Sequence, residues 1–531
     1  MNIGQFGAAW AMSEPSREAV VDLRTDVRLS FGDVHRRADR VASWLRRRGI
    51  GEGDWIVFAA RNRHEFFELL IGVATVGAAL YPVNWRLSDR ELRAVLETVR
   101  PRAVFCEPAM FQRVTGTSAH PDLVVLGERS SGAHGPVVGT RATPASGSVI
   151  DYADVLACTE PSPKLAGAAR QVLAVHTGGT TGQVKGAVHT HASVLAACIN
   201  NAAVEAIRPD DRYLVMGQLF HSAAVLALNY FMHGGAVVLT DYSPENVIDV
   251  INTERVSATL AFPSMVRGLL PQPAAQDALS TLRSIQYGGG GFVQDDVLAL
   301  YELNPGLLHC YGTSESVGIA FLTPVEHRAA IDAGDFDLLR SCGREAVLAS
   351  VRLVDEAGAV LPRDSTAFGE IQVRSSANLI GYLGREETYG PASWLPTGDL
   401  AFRRPDGRLT VVGRSKEVIR CGGENIYPRQ LEEAIRGLSW VDDVAVVGVA
   451  DDQWGEVPVA FVVGRGGADD VTAAVRDRLG SYQKPHAVYF RDVLPVSSAG
   501  KIALSQLKDE ADRLRADAGA ASAPLGSTTE A

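Results

Sequence analysis

The sequence predicts an α/β protein, with a large N-terminal domain of layered α/β subdomains and a β-rich subdomain, followed by a small α+β C-terminal domain. Three observations support this prediction. Helix and strand patterns alternate over 30–110, short β-like runs fill 340–412, and a compact mixture of strands and helices follows residue 415. Such alternation is typical of layered structures with parallel strands.

The N-terminal alternation begins with an amphipathic helix pattern over 31–48, which ends in three arginines. A strand over 54–60, a helix over 64–76 and an apolar turn and strand over 77–83 follow. Residues 128–170 are rich in Gly, Ser, Ala and Pro, which predicts surface loop. Strand and helix signals resume at 171, with an apolar strand pattern over 172–175, and continue to about 325.

The β-rich region has strand patterns over 347–354, 369–374 and 408–412, with turns at 355–358 and 405–407. Beyond it we expect a helix over 428–436, strands over 444–449 and 457–463, a helix over 470–479 and a strand over 487–490. These patterns predict an N-terminal domain over 1–413, a connection at 414–416 and a C-terminal domain over 417–515. The Ala/Ser/Gly/Thr-rich residues 516–531 predict a disordered tail.

Composition excludes several classes of protein. The 531 residues carry a net charge of −11, which argues against bulk binding of nucleic acid or anionic membranes. The six cysteines are scattered and form no Cys-x-x-Cys pair, so we expect neither a zinc site nor a disulfide framework. No signal-peptide pattern and no membrane span are found, so a cytoplasmic location is expected.

The most informative stretch is 176–191, which reads His-Thr-Gly-Gly-Thr-Thr-Gly-Gln-Val-Lys-Gly-Ala-Val-His-Thr-His. Its glycines let backbone N–H groups converge on an anion, and its hydroxyls and lysine add donors and charge. It is not a Walker A loop, because two residues separate Gly182 from Lys185. No Gly-x-Gly-x-x-Gly follows a strand pattern, so a Rossmann site is unsupported. In isolation the stretch fits a phosphate-binding loop and a flexible polar turn equally well.

Other clusters are ambiguous when taken singly. His221 precedes an apolar helix pattern, where a packed histidine is commoner than a catalytic one. Four glycines at 288–291 fit either a flat ligand or a plain loop. The run 311–315 combines an aromatic ring, hydroxyls and a carboxylate suited to Mg²⁺. Asp399, at a predicted tight turn, could accept hydrogen bonds from ribose or form an Asx turn. Cations at 413–416 and 495–501 could be solvated surface charges.

Together and in this order, the motifs resemble those of the adenylate-forming superfamily of acyl-CoA synthetases, firefly luciferase-like enzymes and peptide-synthetase adenylation domains. The resemblance covers nearly the whole chain, and the run 413–428 is close to the acyl-CoA synthetase form. It implies that a carboxylate attacks ATP to give acyl-AMP and pyrophosphate, and that coenzyme A then displaces AMP. It also implies a mobile C-terminal domain that rotates at 414–416 between the two steps.

The resemblance also implies roles for individual residues. The phosphates of ATP would be held by Thr177, Gly178, Gly179, Thr180, Thr181, Gly182 and Lys185, and Mg²⁺ by Glu315 and Thr180. The rest of the nucleotide would contact Gly288, Gly289, Gly290, Tyr311, Gly312, Thr313, Ser314, Asp399 and Arg414. Lys501 would bridge the acid and the α-phosphate, and Lys416 would be the hinge. Gly422 and Gly423 would line the thiol channel in the second step, and Arg420 and Asn425 would assist one or other step.

The acid itself is less well determined. Pocket candidates are small or apolar and offer no cation for a second carboxylate; they are His221, Ser222, Ala223, Val225, Tyr230, Gly312, Val317, Gly318 and Ile319. They favour a hydrophobic monoacid, aliphatic or cyclic. An acyl-AMP ligase that loads a carrier protein or an amine stays open as an alternative. An amino-acid-activating domain is less favoured, because such domains usually carry aspartate where His221 stands. A nucleotide-binding regulator would be expected to lose Glu315 or Lys501.

Overall fold

The computed structural model describes residues 1–115, 121–127, 148–158, 165–167, 171–177, 185–290, 294–479, 483–496 and 502–521. The chain packs into two compact units. The first comprises Met1–Arg352, Gln372–Thr397 and Arg404–Thr410, and the second comprises Leu353–Ile371, Gly398–Arg403 and Val411–Ala531. The hinge at 414–416 concerns motion and stays a prediction.

The first half of the chain contains alternating strands and helices. The strands are β1 Glu18–Asp22, β2 Val27–Ser30, β3 Trp55–Ala59, β4 Ala79–Pro82, β5 Ala103–Cys106, β6 Asp122–Val125, β7 Val149–Asp151, β8 Gln171–Thr177, β9 Lys185–Thr190, β10 Arg212–Val215, β11 Ala236–Leu239 and β12 Ala258–Ala261. The helices are α1 Ala8–Ser13, α2 Phe31–Arg47, α3 Glu65–Val76, α4 Asp89–Val99, α5 Phe111–Val114, α6 Tyr152–Leu156, α7 His191–Glu205, α8 Ala223–Met232, α9 Pro244–Thr253 and α10 Pro263–Leu269.

The second half is richer in strands. They are β13 Ser284–Gly288, β14 Leu307–Thr313, β15 Ser316–Leu322, β16 Arg344–Glu345, β17 Ala349–Val354, β18 Gly369–Ser375, β19 Gly381–Tyr382, β20 Leu395–Arg403, β21 Leu409–Arg414, β22 Ile419–Cys421, β23 Glu424–Ile426, β24 Val441–Asp451, β25 Gly455–Gly464 and β26 Ala487–Arg491. The helices are α11 Ala275–Ser280, α12 Gln294–Leu303, α13 Pro324–Ala333, α14 Phe336–Leu339, α15 Pro428–Arg436, α16 Ala468–Leu479 and α17 Leu504–Ala521.

Two large sheets organise the first unit. One has the order β16-β15-β14-β13-β12-β10-β11-β1-β2 and the other the order β19-β9-β8-β4-β3-β5-β6-β7. In the first sheet the central strands are parallel and the strands at both ends are antiparallel. In the second sheet the strands from β8 to β7 are parallel, and only β19, β9 and β8 pair antiparallel, at one end. Helices α2, α3, α7 and α8 contribute to one shared core with these sheets. The predicted layered α/β class is thereby confirmed.

A buried charge network anchors α3. Arg63 pairs with both oxygens of Glu65 at 2.9 and 2.7 Å, and His64 Nδ1 donates to Glu68 Oε1 at 2.6 Å. The backbone N–H of His64 donates to Asp22 Oδ2 at 3.0 Å. Burial alone would lower the pKa of His64, but the hydrogen bond to Glu68 and nearby carboxylate charges raise it. Asp22, His64 and Glu65 lie close enough to hold a metal ion, but these pairings already engage their polar atoms.

The second unit contains a five-stranded sheet with the order β23-β22-β25-β24, in which β26 pairs with β25. Helices α15 and α16 pack on one face through Leu431 and Val475, and α17 packs on the other through Leu507. Strands β17, β18, β20 and β21 form a separate four-stranded sheet. Among the described helices, none has both the length and the apolar character needed to cross a membrane.

Most predicted elements have counterparts, and three regions differ. The second part of the glycine-rich stretch forms strand β9, and 149–156 forms a strand and a helix rather than surface loop. Residues 397–399 lie inside strand β20, so the predicted tight turn is wrong; a φ of 75° at Gly398 supplies the local bend. Helix α17 continues to Ala521, into the segment predicted as a tail.

Candidate functional site

The described ends of the glycine-rich stretch lie on β8 and β9, which pair as the two arms of a β-hairpin. Thr177, the last residue of β8, pairs with Lys185, the first residue of β9. Because the two strands are antiparallel, the ends of the loop are held together at this pair. Thr177 is buried and Lys185 is half-buried. The predicted phosphate ligands Gly178, Gly179, Thr180, Thr181 and Gly182 lie outside the described residues.

A tyrosine that the sequence analysis missed links the hairpin to the predicted magnesium ligand. Tyr382 lies on β19, which pairs with β9. Its ring centroid is 5.4 Å from Lys185 Nζ, and its hydroxyl donates to Glu315 Oε1 at 3.0 Å. Burial and the nearby Glu315 carboxylate raise the pKa of Tyr382, so the hydroxyl keeps its proton and acts as a donor. The predicted Glu315 and Lys185 are therefore brought together around one aromatic ring.

The β14–β15 turn that carries Ser314 and Glu315 is fixed by its backbone. His189 Nε2 donates to the Ser314 carbonyl at 2.8 Å, and the Leu379 N–H donates to the Glu315 carbonyl at 2.8 Å. Burial lowers the pKa of His189, which favours the neutral ring with its proton on Nε2. These contacts hold the two side chains at the carboxyl end of β14, where open α/β sheets bind ligands.

Glu315 fits a role as a magnesium ligand. One of its oxygens accepts from Tyr382, and the other accepts no hydrogen bond from a described residue. Mg²⁺ prefers carboxylate oxygens and keeps several waters, so one carboxylate oxygen beside bound phosphates would suffice. The second predicted ligand, Thr180, lies outside the described residues.

Two histidines connect the hairpin to the predicted acid pocket. His221 Nδ1 donates to the His176 carbonyl at 2.8 Å, and the His176 N–H donates to the Phe220 carbonyl at 2.8 Å. Burial and the neighbouring His221 lower the pKa of His176 to about 3, so its ring is neutral at physiological pH. Tyr81 lies beside this ring, with its hydroxyl 3.3 Å from His176 Nδ1. His221 is therefore positioned by the same residue that precedes the phosphate loop.

Three neighbouring strands end at the predicted nucleotide and acid sites. Gly217 follows β10, Phe262 follows β12, and Gly289 follows β13. A Cβ on Gly289 would lie 2.8 Å from Phe262 Cδ1, and one on Gly217 would lie 3.2 Å from Phe262 Cε2. A Cβ on Gly288 would lie 2.4 Å from the Cys310 carbonyl oxygen, so only glycine fits there. The sequence analysis found the glycines but missed the half-buried ring that they surround.

The predicted acid-pocket residues fall into two groups. His221 and Ser222 directly precede α8, Ala223 and Val225 lie in its first turn, and Gly312, Val317, Gly318 and Ile319 lie on the β14–β15 hairpin. Tyr230 differs from both groups because its side chain is fully buried. Its ring stacks on Tyr213 at 4.4 Å, and its hydroxyl donates to Glu205 Oε1 at 2.6 Å. This placement is that of a core residue. Tyr311, at the edge of the hairpin, donates to Thr397 Oγ1 at 3.4 Å.

The second unit brings together two other predicted nucleotide ligands. Arg414 Nε lies 3.0 Å from Asp399 Oδ1, and the Gly398 N–H donates to Glu370 Oε1 at 3.0 Å. Asp399 is buried, while Arg414 is half-exposed. A guanidinium beside a carboxylate offers both donors and acceptors, which is the combination that ribose hydroxyls need.

The predicted hinge and thiol-side residues lie near an open groove in the second unit. Its lining includes Lys416, Arg420 and Glu456, and the Arg420 N–H donates to Glu456 Oε2 at 3.1 Å. Arg420 pairs with Asn425 across the β22–β23 hairpin, whose turn holds Gly422 and Gly423 at φ values of 60° and 88°. Such values favour glycine, which explains both residues. Lys501 lies outside the described residues.

Comparison with known proteins gives the same assignment. The AMP-binding enzyme family matches residues 8–383, and the AMP-binding enzyme C-terminal domain matches residues 430–501. A feruloyl-CoA synthase from Amycolatopsis sp. is 31% identical over 494 residues, covering 90% of this chain and 93% of that protein. A fatty acid–[acyl-carrier-protein] ligase, ScoC, from Streptomyces coeruleorubidus is 29% identical over 94% of each chain.

Among solved structures, the amide bond synthetase McbA from Marinactinospora thermotolerans superposes with a TM-score of 0.80 at 25% identity, covering 96% of this chain and 99% of that one. The match to the AMP-binding enzyme family over residues 8–383 spans well over half of the sequence. The chain therefore belongs to the family of AMP-binding enzymes.

Proposed function

We propose that this AMP-forming ligase is an acyl-CoA synthetase that activates a hydrophobic monocarboxylic acid with MgATP and transfers the acyl group to coenzyme A. The arrangement of Lys185, Tyr382 and Glu315 beside the glycine-rich hairpin is the observation that carries the proposal. It sets a cation, a hydroxyl donor and a carboxylate next to a loop suited to phosphates. Charge neutralisation of this kind is what two reacting anions require.

The reaction has two balanced steps. First, a carboxylate oxygen of the acid forms a bond to the α-phosphorus of ATP, and the bond from that phosphorus to the bridging oxygen breaks, which releases pyrophosphate. Second, the sulfur of CoA forms a bond to the acyl carbon, the bond from that carbon to AMP breaks, and the thiol proton passes to solvent. Holding the reactants in line supplies much of the rate increase.

The described residues divide this work between them. Lys185 provides positive charge for the departing pyrophosphate, and Tyr382 keeps the Glu315 carboxylate in position. When bound to Glu315, Mg²⁺ would neutralise phosphate charge during the first step. In the second unit, Asp399 and Arg414 offer an acceptor and donors for ribose hydroxyls. In the first unit, the glycines at the end of β13 leave the backbone open to a flat ring such as adenine. His221 borders the acyl carbon. Its Nδ1 donates to the His176 carbonyl, and this hydrogen bond fixes the orientation of the ring.

The best test separates the two half-reactions. Lys501→Ala should abolish acid-dependent exchange between ATP and pyrophosphate, yet leave thioester formation from supplied acyl-AMP largely intact. Lys484, an exposed lysine of the same unit, provides the matched control, and Lys484→Ala should leave both steps unchanged. Equal loss of both half-reactions in Lys501→Ala would contradict the assigned role. Absence of exchange for every acid in a broad panel would contradict the proposed function.

A second candidate acceptor is a carrier protein or an amine. Two similar proteins favour it by name, the acyl-carrier-protein ligase ScoC and the amide bond synthetase McbA. The decisive measurement supplies purified acyl-AMP with CoA, with a carrier protein that bears phosphopantetheine, or with a primary amine. If a thioester forms with the carrier protein but not with CoA, the carrier protein is the acceptor, and the proposed first step is unaffected.

A further inference from the structure

Two buried amides beside the predicted acid pocket have unused hydrogen-bonding atoms. Asn201 lies on α7 and Gln286 on β13, and both side chains are fully buried. Gln286 Nε2 donates to Asn201 Oδ1 at 2.8 Å. The remaining atoms, Asn201 Nδ2 and Gln286 Oε1, have no hydrogen-bond partner among the described residues. The pair therefore presents one unused donor and one unused acceptor.

This count does not depend on how the amides are oriented. If both side chains were turned by 180°, Asn201 would donate to Gln286, which would leave one acceptor and one donor. An unsatisfied buried polar atom destabilises the folded state, and native proteins contain few of them. A third buried amide is Asn229 on α8, and neither its Nδ2 nor its Oδ1 has a hydrogen-bond partner among the described residues. Packing in an apolar core does not explain why three buried amides keep polar atoms without partners among the described residues.

The amide pair lies directly behind the predicted acid pocket. A Cβ on Gly318 would stand 3.3 Å from Asn201 Nδ2, and the neighbouring Asn200 donates to the Gly318 carbonyl at 3.1 Å. A Cβ on Gly312 would stand 2.7 Å from the Gly318 N–H nitrogen, and Gly312 is exposed. The residues between the exposed edge of the β14–β15 hairpin and the amide pair are therefore Gly312 and Gly318, which have no side chains. Helix α8, with its pocket residue Val225, packs against α7 on the other side, where Cys198 Sγ lies 3.7 Å from the Val225 carbonyl oxygen.

We propose that Asn201 and Gln286 recognise a hydroxyl group on the acid substrate, at the end remote from its carboxylate. A hydroxyl offers one donor and accepts in return, so it matches the unused acceptor and donor together. The acid is then a hydrophobic monocarboxylic acid that carries one distal hydroxyl. This inference rests on the proposed function, because it places the acyl group between α8 and the β14–β15 hairpin.

The test compares acids that differ only in that hydroxyl. Suitable pairs are 4-hydroxycinnamate with cinnamate, and 8-hydroxyoctanoate with octanoate, measured by ATP–pyrophosphate exchange. In the unmodified enzyme we expect kcat/KM to be at least about tenfold higher for one hydroxylated acid than for its partner, since sites built to bind a hydroxyl discriminate strongly. The double variant Asn201→Leu/Gln286→Met replaces both amides by apolar groups of similar size, which can be nearly neutral for stability. In this double variant, the kcat/KM for the hydroxylated acid should be about equal to, or lower than, the kcat/KM for its unsubstituted partner.

Asn304 provides the matched control. Its amide is buried but fully bonded, to the Leu279 and Leu282 carbonyls at 2.7 and 2.6 Å and from the Gly306 N–H at 2.7 Å. Asn304→Ala should lower the melting temperature without changing the ratio between paired acids.

Three outcomes are informative. A ratio near one in the unmodified enzyme, with active exchange for the unsubstituted acids, would overturn this inference and leave the proposed function standing. An unchanged preference in the folded double variant would overturn it too, and would point to a buried water on the pair. No exchange with any acid would instead count against the proposed function.

Discussion

The hydroxyl of Tyr382 offers the sharpest test of the phosphate-binding arrangement. Tyr382→Phe removes the donor to Glu315 at 3.0 Å but keeps the ring that faces Lys185. A hydrogen bond to a charged group contributes about 1.5–3 kcal/mol, and the half-buried setting of Glu315 favours the lower end. At about 1.4 kcal/mol per factor of ten, we expect a roughly 10- to 30-fold loss in kcat/KM for ATP.

The assay is ATP–pyrophosphate exchange at several Mg²⁺ concentrations. A Glu315 carboxylate without its donor is less well positioned, so the Mg²⁺ concentration for half-maximal rate should rise. Tyr382→Leu also removes the ring and should cost a further 0.5–1 kcal/mol, or roughly two- to fivefold, through the lost cation–π contact. Tyr389→Phe is the control, because Tyr389 influences the same carboxylate only through a weaker electrostatic effect.

The reasoning would be refuted if Tyr382→Phe kept both the exchange rate and the Mg²⁺ dependence of the unmodified enzyme. It would also be refuted if Tyr389→Phe produced the same loss. A fall in melting temperature without any change in Mg²⁺ dependence would assign Tyr382 a purely structural role.

Two further predictions concern the strand ends and the α3 network. Gly289→Ala should lower the free energy of unfolding by about 1–2 kcal/mol because Gly289 has a positive φ. It should also raise the KM for the acid, because the added Cβ would push the Phe262 ring. Calorimetry and exchange assays should show that adding Phe262→Ala restores part of both the stability and the KM. Because the folded pKa of His64 is raised, its stabilising contribution is complete below the unfolded pKa of about 6.5 and is lost as pH rises through the folded value. Urea unfolding between pH 6 and 9 should therefore show a decline in stability that His64→Gln removes, and an identical slope in both proteins would disprove the role of this histidine.

The sequence predicted the family and most elements because its glycines and charges occur in a fixed order. It placed the strand before the glycine-rich stretch and the helix after His221 correctly along the chain. Residues that become neighbours only in the folded structure were harder to predict from local sequence patterns. Tyr382 lies 67 residues from its partner Glu315 and belongs to a two-residue strand, too short to show any periodicity. Its pairing with β9 depends on sheet order, which local patterns do not encode.

Phe262 and the Asn201–Gln286 pair were missed for a related reason. Each lies in a pattern that indicates a core residue. Only the packing shows that a glycine faces the ring and that two amide atoms lack partners among the described residues. Asp399 shows the opposite error, since a Thr-Gly-Asp run indicated a turn where the structure has a strand with a local bend. Short glycine-containing runs are consistent with both conformations.

The His176 backbone has a consequence for the rate of the first chemical step. It belongs to one large sheet, yet it exchanges two hydrogen bonds with residues 220 and 221, which follow a strand of the other. His176, which precedes the predicted phosphate ligand Thr177, is thus bonded directly to the predicted acid-pocket residue His221. We expect this contact to raise the effective molarity of the carboxylate at the α-phosphorus, because it keeps the two predicted sites at a fixed separation.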